Sequence, residues 1–339
     1  MSSAPAMAIE PNRSPENPAP ADDDGRSDTS SELTEIDQDE FPRYFDERGG
    51  RLFHSHGRSP YPLPVDAAEQ HRLNRQHALL HRILGRHIID PVTQVLERRS
   101  SGQRCVVDIG TGTGRWVMDM AAQFPQVRFY GLDIVPIQTR HPLPNVMFEM
   151  HDLADRTRYL TASIDFVHAR DIQLAIQDYP GLVAEAARIL RPGGLFVSCE
   201  WDVFPSMSMS NGDVPVHVSA PRTHRFFRIT HDFLRENGIP LVGRSVEGIL
   251  QASNAFTNVH VERFRVPIGG WHPELQRPGR RMRQLLGVYA TSVKVSMVGR
   301  NLMSEADGQA LVQGLLDETE AVHGIVHTIN VVYAWRAGA

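Results

Sequence analysis

The chain has 339 residues, 41% of them hydrophobic, and a formal net charge of −5. That length holds one large domain or two small ones with a substantial core, and no apolar run approaches the roughly 20 residues that a membrane span needs. With two cysteines, Cys105 and Cys199, both inside predicted strands, a disulfide framework is excluded, and the weak cluster Arg280-Arg281-Met282-Arg283 makes no case for nucleic-acid binding.

Residues 1–40 hold eleven acids and two arginines, net −9, whereas the remainder carries +4. Rich in Pro, Ser and Asp, this segment is predicted to be a disordered acidic tail. A solvating tail is the simpler reading, and a docking tail for a protein partner the other. The opening MSSAPAMAIEPNRSPENP lacks the basic and apolar regions of a secretory signal, so a cytoplasmic location is expected, with the nucleus as the alternative.

From Phe41 the chain is dense in aromatics, Gly and Pro, which predicts an ordered loop laid over another element. A helix is predicted over 66–84, with Asp66 as N-cap and Glu69 at capping-box spacing. Its apolar positions Leu73, Leu80 and Leu84 share a stripe with His77. A second helix, over 91–99, completes an N-terminal helical and loop cap spanning 41–100, and residues 101–339 form the main domain.

Beyond 104 strands and helices alternate, the pattern of an α/β, doubly wound parallel sheet. Strands are predicted at 104–109, 127–132, 146–150, 164–168 and 194–201, with helices over 114–124, 154–161 and 178–190. The last of these stops at Arg191-Pro192-Gly193-Gly194. A Met/Ser/Gly-rich loop, 203–219, leads to an amphipathic helix over 221–237. Strands at 257–266 and 326–335 finish the sheet. Between them a helical insertion, about 268–324, is too long for a hairpin loop and should form a lid from helices over 276–298 and 304–321.

The chemistry concentrates at two strand tips. CVVDIGTGTGRW (105–116) ends a strand in Asp108 and packs Gly110, Gly112 and Gly114 into the following turn, and VRFYGLDIVPIQ (127–138) ends the next strand in Asp133. Glycines let main chain approach a ligand closely, and an acid on the second strand tip suits the hydroxyls of a ribose. The dinucleotide fingerprint would need a glycine at 115, which is Arg115, and no G-x-x-x-x-G-K-[ST] occurs. Sixteen histidines include His54-Ser55-His56, but no H-E-x-x-H or Cys/His ligand spacing accompanies them, so no metal is expected. There is no G-x-S-x-G elbow for nucleophilic hydrolysis.

The D-x-G-x-G-x-G spacing from Asp108 resembles the first motif of class I S-adenosylmethionine-dependent methyltransferases. Narrower signals, PIQ (136–138), the LPVDAAEQHRL block, PNVMFEMHDL, FRVPIGGW and HGIVHTINVVYAWRA, resemble the fungal LaeA-like methyltransferases over residues 41–336. The resemblance implies a Rossmann-like seven-stranded, mostly parallel sheet with its last strand antiparallel, and S-adenosylmethionine as cofactor. It places Asp108 and the backbone of Gly110, Thr111, Gly112 and Gly114 along the methionine part. It also implies Asp133 on the ribose hydroxyls, Ile134 on the adenine, and Asp152 with Leu153 at the adenine amino group, an N-cap for 154–161 being the alternative for Asp152. Arg170 lies where donor meets acceptor. Members of this group are linked to secondary metabolism, some as nuclear regulators with partner proteins and others as tailoring enzymes on small molecules.

Methyl transfer needs alignment more than a base, but a hydroxyl or protonated amine must lose a proton. His168, Glu200, Asp202 and His224 are the candidate bases by nearness to the expected mouth. Arg170 joins the catalytic candidates as the side chain where donor meets acceptor. Strand-end packing and ion pairing are the alternative for His168 and Arg170. Trp201, Met207 and Met209 suit an apolar acceptor wall or, equally, ordinary core filling. The leading expectation is methylation of a small secondary metabolite on O or N; the alternative is a regulator acting through protein partners. Deleting residues 1–38 should leave the melting temperature and cofactor affinity nearly unchanged, as measured by thermal denaturation and titration calorimetry.

Overall fold

Apolar residues alternate across the two faces of each central strand, and that alternation builds the molecule. In the computed structural model, which describes residues 34–85, 90–97, 102–210 and 212–338, β3 (Cys105–Ile109) sends Val106 to one core and Val107 to the other. The same pattern holds for Phe129 and Tyr130 of β4 (Arg128–Asp133), Phe166 and Val167 of β6 (Ile164–Arg170), and Leu195 and Phe196 of β7 (Leu190–Trp201). A strand buried on both faces needs helices on both sides, which is why the parallel sheet is sandwiched. All that follows concerns the compact unit Ile36–Ala339; the acidic stretch up to residue 33 and the junction 98–101 lie outside the described residues.

The remaining elements are a hairpin of β1 (Phe45–Arg48) and β2 (Arg51–His54), then α1 (Ala67–Leu84), α2 (Asp90–Glu97), α3 (Arg115–Gln123), β5 (Val146–Met150) and α4 (Tyr179–Ile189). They continue with β8 (Ser206–Met209), β9 (Gly212–Pro215), α5 (Pro221–Glu236), α6 (Val246–Ala252), β10 (Phe256–Pro267), α7 (Gln276–Gly299), α8 (Glu305–Ala321) and β11 (Ile325–Arg336). The sheet runs β5-β4-β3-β6-β7-β11, with β10 pairing β11 and the β8–β9 hairpin extending from the start of β11. Strands β3 to β7 are mutually parallel, and β11 is antiparallel to both β7 and β10. The chain leaves β3 toward β4 and β5, then returns across it to β6, so β3 is the switch point where an open parallel sheet leaves a crevice at its carboxyl edge.

Most of the predicted elements are present, and the differences have physical causes. The sheet has nine strands rather than seven, because the 203–219 loop folds as the β8–β9 hairpin. No helix forms over 154–161: the carbonyls of Thr157 and Tyr159 accept from the Arg188 guanidinium, and Glu185 takes the Thr157 N–H. Side chains of α4 thereby satisfy groups that a helix would pair internally. β7 begins at Leu190 rather than 194 and carries Arg191-Pro192-Gly193-Gly194 within it. The helices of the 268–324 insertion are α7 and α8, and α7 lies against α1.

Phe148 of β5 fills a slot that two glycines leave open. A Cβ at Gly131 would stand 2.7 Å from its Cδ1, and one at Gly114 2.5 Å from its Cζ. Gly131→Ala should destabilise the fold by about 1–3 kcal/mol through overpacking, with partial recovery in the double variant with Phe148→Leu; denaturant unfolding measures both.

Candidate functional site

At the carboxyl edge of β3 the chain must turn sharply into α3, and three residues do so with positive φ: Gly110 (+66°), Gly112 (+57°) and Gly114 (+73°). At Gly110 a Cβ would meet Ile172 Cγ2 at 2.5 Å, so no other residue fits there. The turn is tied to the neighbouring strand tip: Gly112 N–H donates to Asp133 Oδ2 at 2.7 Å, and Thr111 N–H to the Leu132 carbonyl at 2.8 Å. Asp133 Oδ1 accepts from Val135 N–H at 3.2 Å. Burial pushes the Asp133 carboxyl up to about 6, while the Gly112 and Val135 N–H groups oppose the rise.

A cavity of about 200 Å³ opens over these tips. Among the residues anticipated for the site, it brings together Asp108, Gly110, Thr111, Gly112, Asp133, Ile134, His168, Arg170 and Asp202. Several of them are engaged in ways that define their roles. Asp108 Oδ1 pairs with His168 Nδ1 at 2.7 Å and Oδ2 accepts from Thr111 Oγ1 at 2.6 Å. The His168 ring stacks on Trp116 at 3.8 Å, and burial lowers its pKa against the opposing pull of Asp108. This pair stiffens the floor. Arg170 Nη2 donates to His77 Nδ1 at 3.0 Å, and His77 Nε2 meets Asp119 Oδ2 at 2.9 Å. A neutral His77 giving its Nε2 proton to Asp119 leaves the Nδ1 lone pair for Arg170, which aims the guanidinium.

Other anticipated residues lie outside the cavity lining, and Asp202 within it is already bonded. Gly114 makes room for Phe148 rather than for a ligand. Asp152 accepts from Arg58 N–H at 2.6 Å and Ala154 N–H at 2.9 Å, and the loop at Gly57 covers it, while Leu153 joins the second core. Glu200 is fully buried behind the wall, holding Ile172 N–H at 3.1 Å and Gln173 N–H at 3.4 Å with Tyr179 OH at 3.4 Å; burial raises its pKa well above the carboxyl range. It is a strut for the 171–173 turn, not a base at the mouth. Asp202 faces the cavity, but its oxygens take Arg244 at 2.6 and 2.8 Å and Asn330 at 2.7 Å, so it too is structural. His224 stacks on Phe204 away from the lining, and Met207, packed in the core, and the exposed Met209 also lie outside it.

Four lining residues were not anticipated as a group: Glu69, Arg72, Gln76 and His77, spaced on one face of α1. Arg72 donates to Glu69 at 2.7 Å and to Gln76 at 2.6 Å, and Gln76 passes the chain on to Asp171 Oδ2 at 2.6 Å. Asp171 holds φ +57°, and burial raises its pKa while Arg72 opposes the rise. The stripe was visible as polar residues at helical spacing. The same cavity has an apolar wall of Trp201 from β7, Phe227 and Leu234 from α5, Leu241 from the segment after α5, and Met282, Leu285 and Leu286 from α7. No group of three or more His, Cys, Asp or Glu with metal-holding geometry occurs among the described residues, and no described helix is long and apolar enough to cross a membrane.

A glycine turn with left-handed backbone at the switch point, followed by an acid on the next strand tip, forms a nucleoside-cofactor crevice, and the comparisons with known proteins make the chain a class I S-adenosylmethionine-dependent methyltransferase. A family model described as a methyltransferase domain matches residues 77–260. The secondary metabolism regulator laeA of Coprinopsis cinerea is 33% identical over 174 residues, which cover 51% of this chain and 43% of that protein. The methyltransferase pytC of Aspergillus terreus is 30% identical over 286 residues, 82% of each chain. The laeA regulator of Aspergillus fumigatus is 25% identical over 307 residues, 88% of this chain and 77% of that one. A solved structure, phosphoethanolamine N-methyltransferase 2 of Haemonchus contortus with S-adenosyl-L-methionine, shows 17% identity and a TM-score of 0.47 over 85% of this chain and 62% of that one, too distant to bear on the substrate. The chain belongs to the methyltransferase-domain family and is LaeA-like.

With Glu200 as a strut, Glu200→Ala should cost about 2–4 kcal/mol by leaving buried N–H groups unpaired, while Glu200→Gln, which keeps one of the two acceptor oxygens, should cost about 1–2 kcal/mol. Because its folded pKa is raised, the stabilisation is fully present below its unfolded value and fades as pH rises through the folded one. Thermal denaturation across pH should show that fade in the wild type and a flatter profile in Glu200→Gln.

Proposed function

We propose that the protein binds S-adenosylmethionine across the tips of β3 and β4 and methylates a small, largely apolar acceptor lodged between β7, α5 and α7. The observation that carries this reading is the shared cavity: the bare backbone of Gly110 and Gly112 and the Asp133 carboxylate line the same space as Trp201, Phe227, Leu234, Met282 and Leu285. The bound cofactor supplies a methyl group already activated on a sulfonium. The chain supplies position and dryness, and alignment alone contributes about 7–11 kcal/mol to such a displacement.

In this reading Gly110 and Gly112 admit the amino-acid tail where a Cβ would block it, and Asp133 accepts from the ribose hydroxyls with the lone pairs that Gly112 and Val135 leave free. Ile134 packs on the adenine. Asp152 and Leu153 border the adenine edge only if the Gly57–Arg58 loop yields the Asp152 carboxylate. Arg170, held by His77, faces the space between donor and acceptor, and Asp108 with His168 keeps the floor rigid. The names of the relatives support the reaction and a link to secondary metabolism: pytC is a methyltransferase, and the laeA proteins are regulators of secondary metabolism. A protein-partner role would use the acidic tail, and residues 1–33 lie outside those described.

Asp133→Ala should weaken S-adenosylhomocysteine binding by about 2–4 kcal/mol, the loss of charge-assisted hydrogen bonds. Because only the ionised carboxylate accepts from both hydroxyls, wild-type affinity should be level above pH 6, near the raised Asp133 value. Below it the affinity should fall roughly tenfold per unit, and Asp133→Asn should abolish the slope. Titration calorimetry from pH 5 to 8 checks both; unchanged affinity in Asp133→Ala refutes the assignment.

A further inference from the structure

The apolar wall of the cavity contains one polar atom that the fold leaves unused. His231 of α5 lines the cavity, and among the described residues its Nδ1 is buried with no hydrogen-bond partner. A buried nitrogen without a partner costs free energy unless a ligand satisfies it. The neighbouring His327 is held by its Nε2, which is bonded to the Asp202 carbonyl at 2.8 Å, and its ring stacks on Trp201 at 5.0 Å. The His231 ring is held edge-on between Phe204, at 4.5 Å, and Phe227, at 5.8 Å, so its orientation is fixed by packing rather than by a hydrogen bond.

We infer that His231 Nδ1 is the acceptor-recognition group of this methyltransferase and that it takes a hydroxyl carried on a flat aromatic or otherwise unsaturated small molecule. This deepens the preceding reading and rests on it. Three observations select that chemistry. The rings of Phe204 and Phe227 pack against His231, and Leu234 and Leu241 line the same wall, which favours an apolar body around the acceptor hydroxyl. The imidazole is neutral, since burial and the adjacent His327 push it down to about 4, with Asp232 opposing that fall and Arg235 and His224 adding to it. A neutral imidazole nitrogen is either donor or acceptor, and a hydroxyl meets both needs where an ether or a ketone meets one.

The proton accounting is simple. The acceptor's O–H bond is exchanged for an O–CH₃ bond, the C–S electron pair stays on sulfur as a neutral thioether, and the released proton passes to the Nδ1 lone pair before leaving to water. A weakly basic imidazole serves an acidic hydroxyl, such as a phenol or enol, better than an alkyl alcohol. His224, one of the candidate bases by its nearness to the expected mouth, is turned onto Phe204 and lies outside the lining.

The test uses the full chain saturated with S-adenosylhomocysteine, with 2-naphthol, whose hydroxyl stays protonated near neutral pH, and its methyl ether 2-methoxynaphthalene as probes in titration calorimetry. The wild type should bind the naphthol about tenfold more tightly than the ether, the worth of one buried hydrogen bond. His231→Phe should bring the two within about twofold. His231→Gln, which keeps a hydrogen-bonding amide, should retain the preference yet lose at least about 100-fold in methylation of 2-naphthol, the scale of a lost proton acceptor. Melting temperatures and S-adenosylhomocysteine affinity should match the wild type in both variants. Equal binding of naphthol and ether by the wild type, no binding of either, a preserved preference in His231→Phe, or undiminished turnover in His231→Gln overturns the inference. Failure of the wild type to bind S-adenosylhomocysteine would instead defeat the proposed function on which it rests.

Discussion

The hydrogen bond from Gly112 N–H to the Asp133 carboxylate, 2.7 Å across the tips of two parallel strands, is the contact on which the rest of the site depends. It fixes where the glycine turn lies relative to the second strand, and so fixes the gap between bare main chain and a carboxylate. A ligand with a sugar at one end and a zwitterionic tail at the other needs that gap. The contact is possible because Gly110 and Gly112 adopt left-handed backbone, closing the turn without a side chain in the way.

From that point the site is assembled in two layers with opposite character. The layer nearest β3 and β6 is polar and internally satisfied: Asp108 with His168 and Thr111, Arg170 with His77, and the Glu69–Arg72–Gln76–Asp171 chain reaching over from α1. A buried network of this kind rigidifies when every member is paired, and rigidity is what an alignment-driven reaction requires. The layer formed by β7, α5 and α7 is apolar and excludes water. The helices before the last strand are therefore walls of the cavity, with Met282, Leu285 and Tyr289 of α7 lining it.

How far the sequence could lead depended on whether a feature is local. Strand period two and the Asp108–Gly110–Gly112–Asp133 spacing are properties of short segments, and these four residues line the cavity over the strand tips. Glu200 and Asp202 follow one another at the end of β7, and sequence alone does not say that one faces a buried turn and the other an arginine 42 residues away. The 154–161 segment has helical composition, but its carbonyls are taken by Arg188, a long-range competitor invisible to any local window. The polar face of α1 was legible and was overshadowed by its apolar stripe. His231 was not legible, because which face of an amphipathic helix meets a cavity is decided by the partner helices.

The most direct test is a crystal structure of the full chain with S-adenosylhomocysteine bound. The account predicts both ribose hydroxyls within hydrogen-bond reach of the Asp133 carboxylate, the amino-acid tail against the Gly110–Gly112 main chain, and the sulfur turned toward the wall built by β7, α5 and α7. Density for the ligand anywhere else, or a ribose that makes no contact with Asp133, would contradict it.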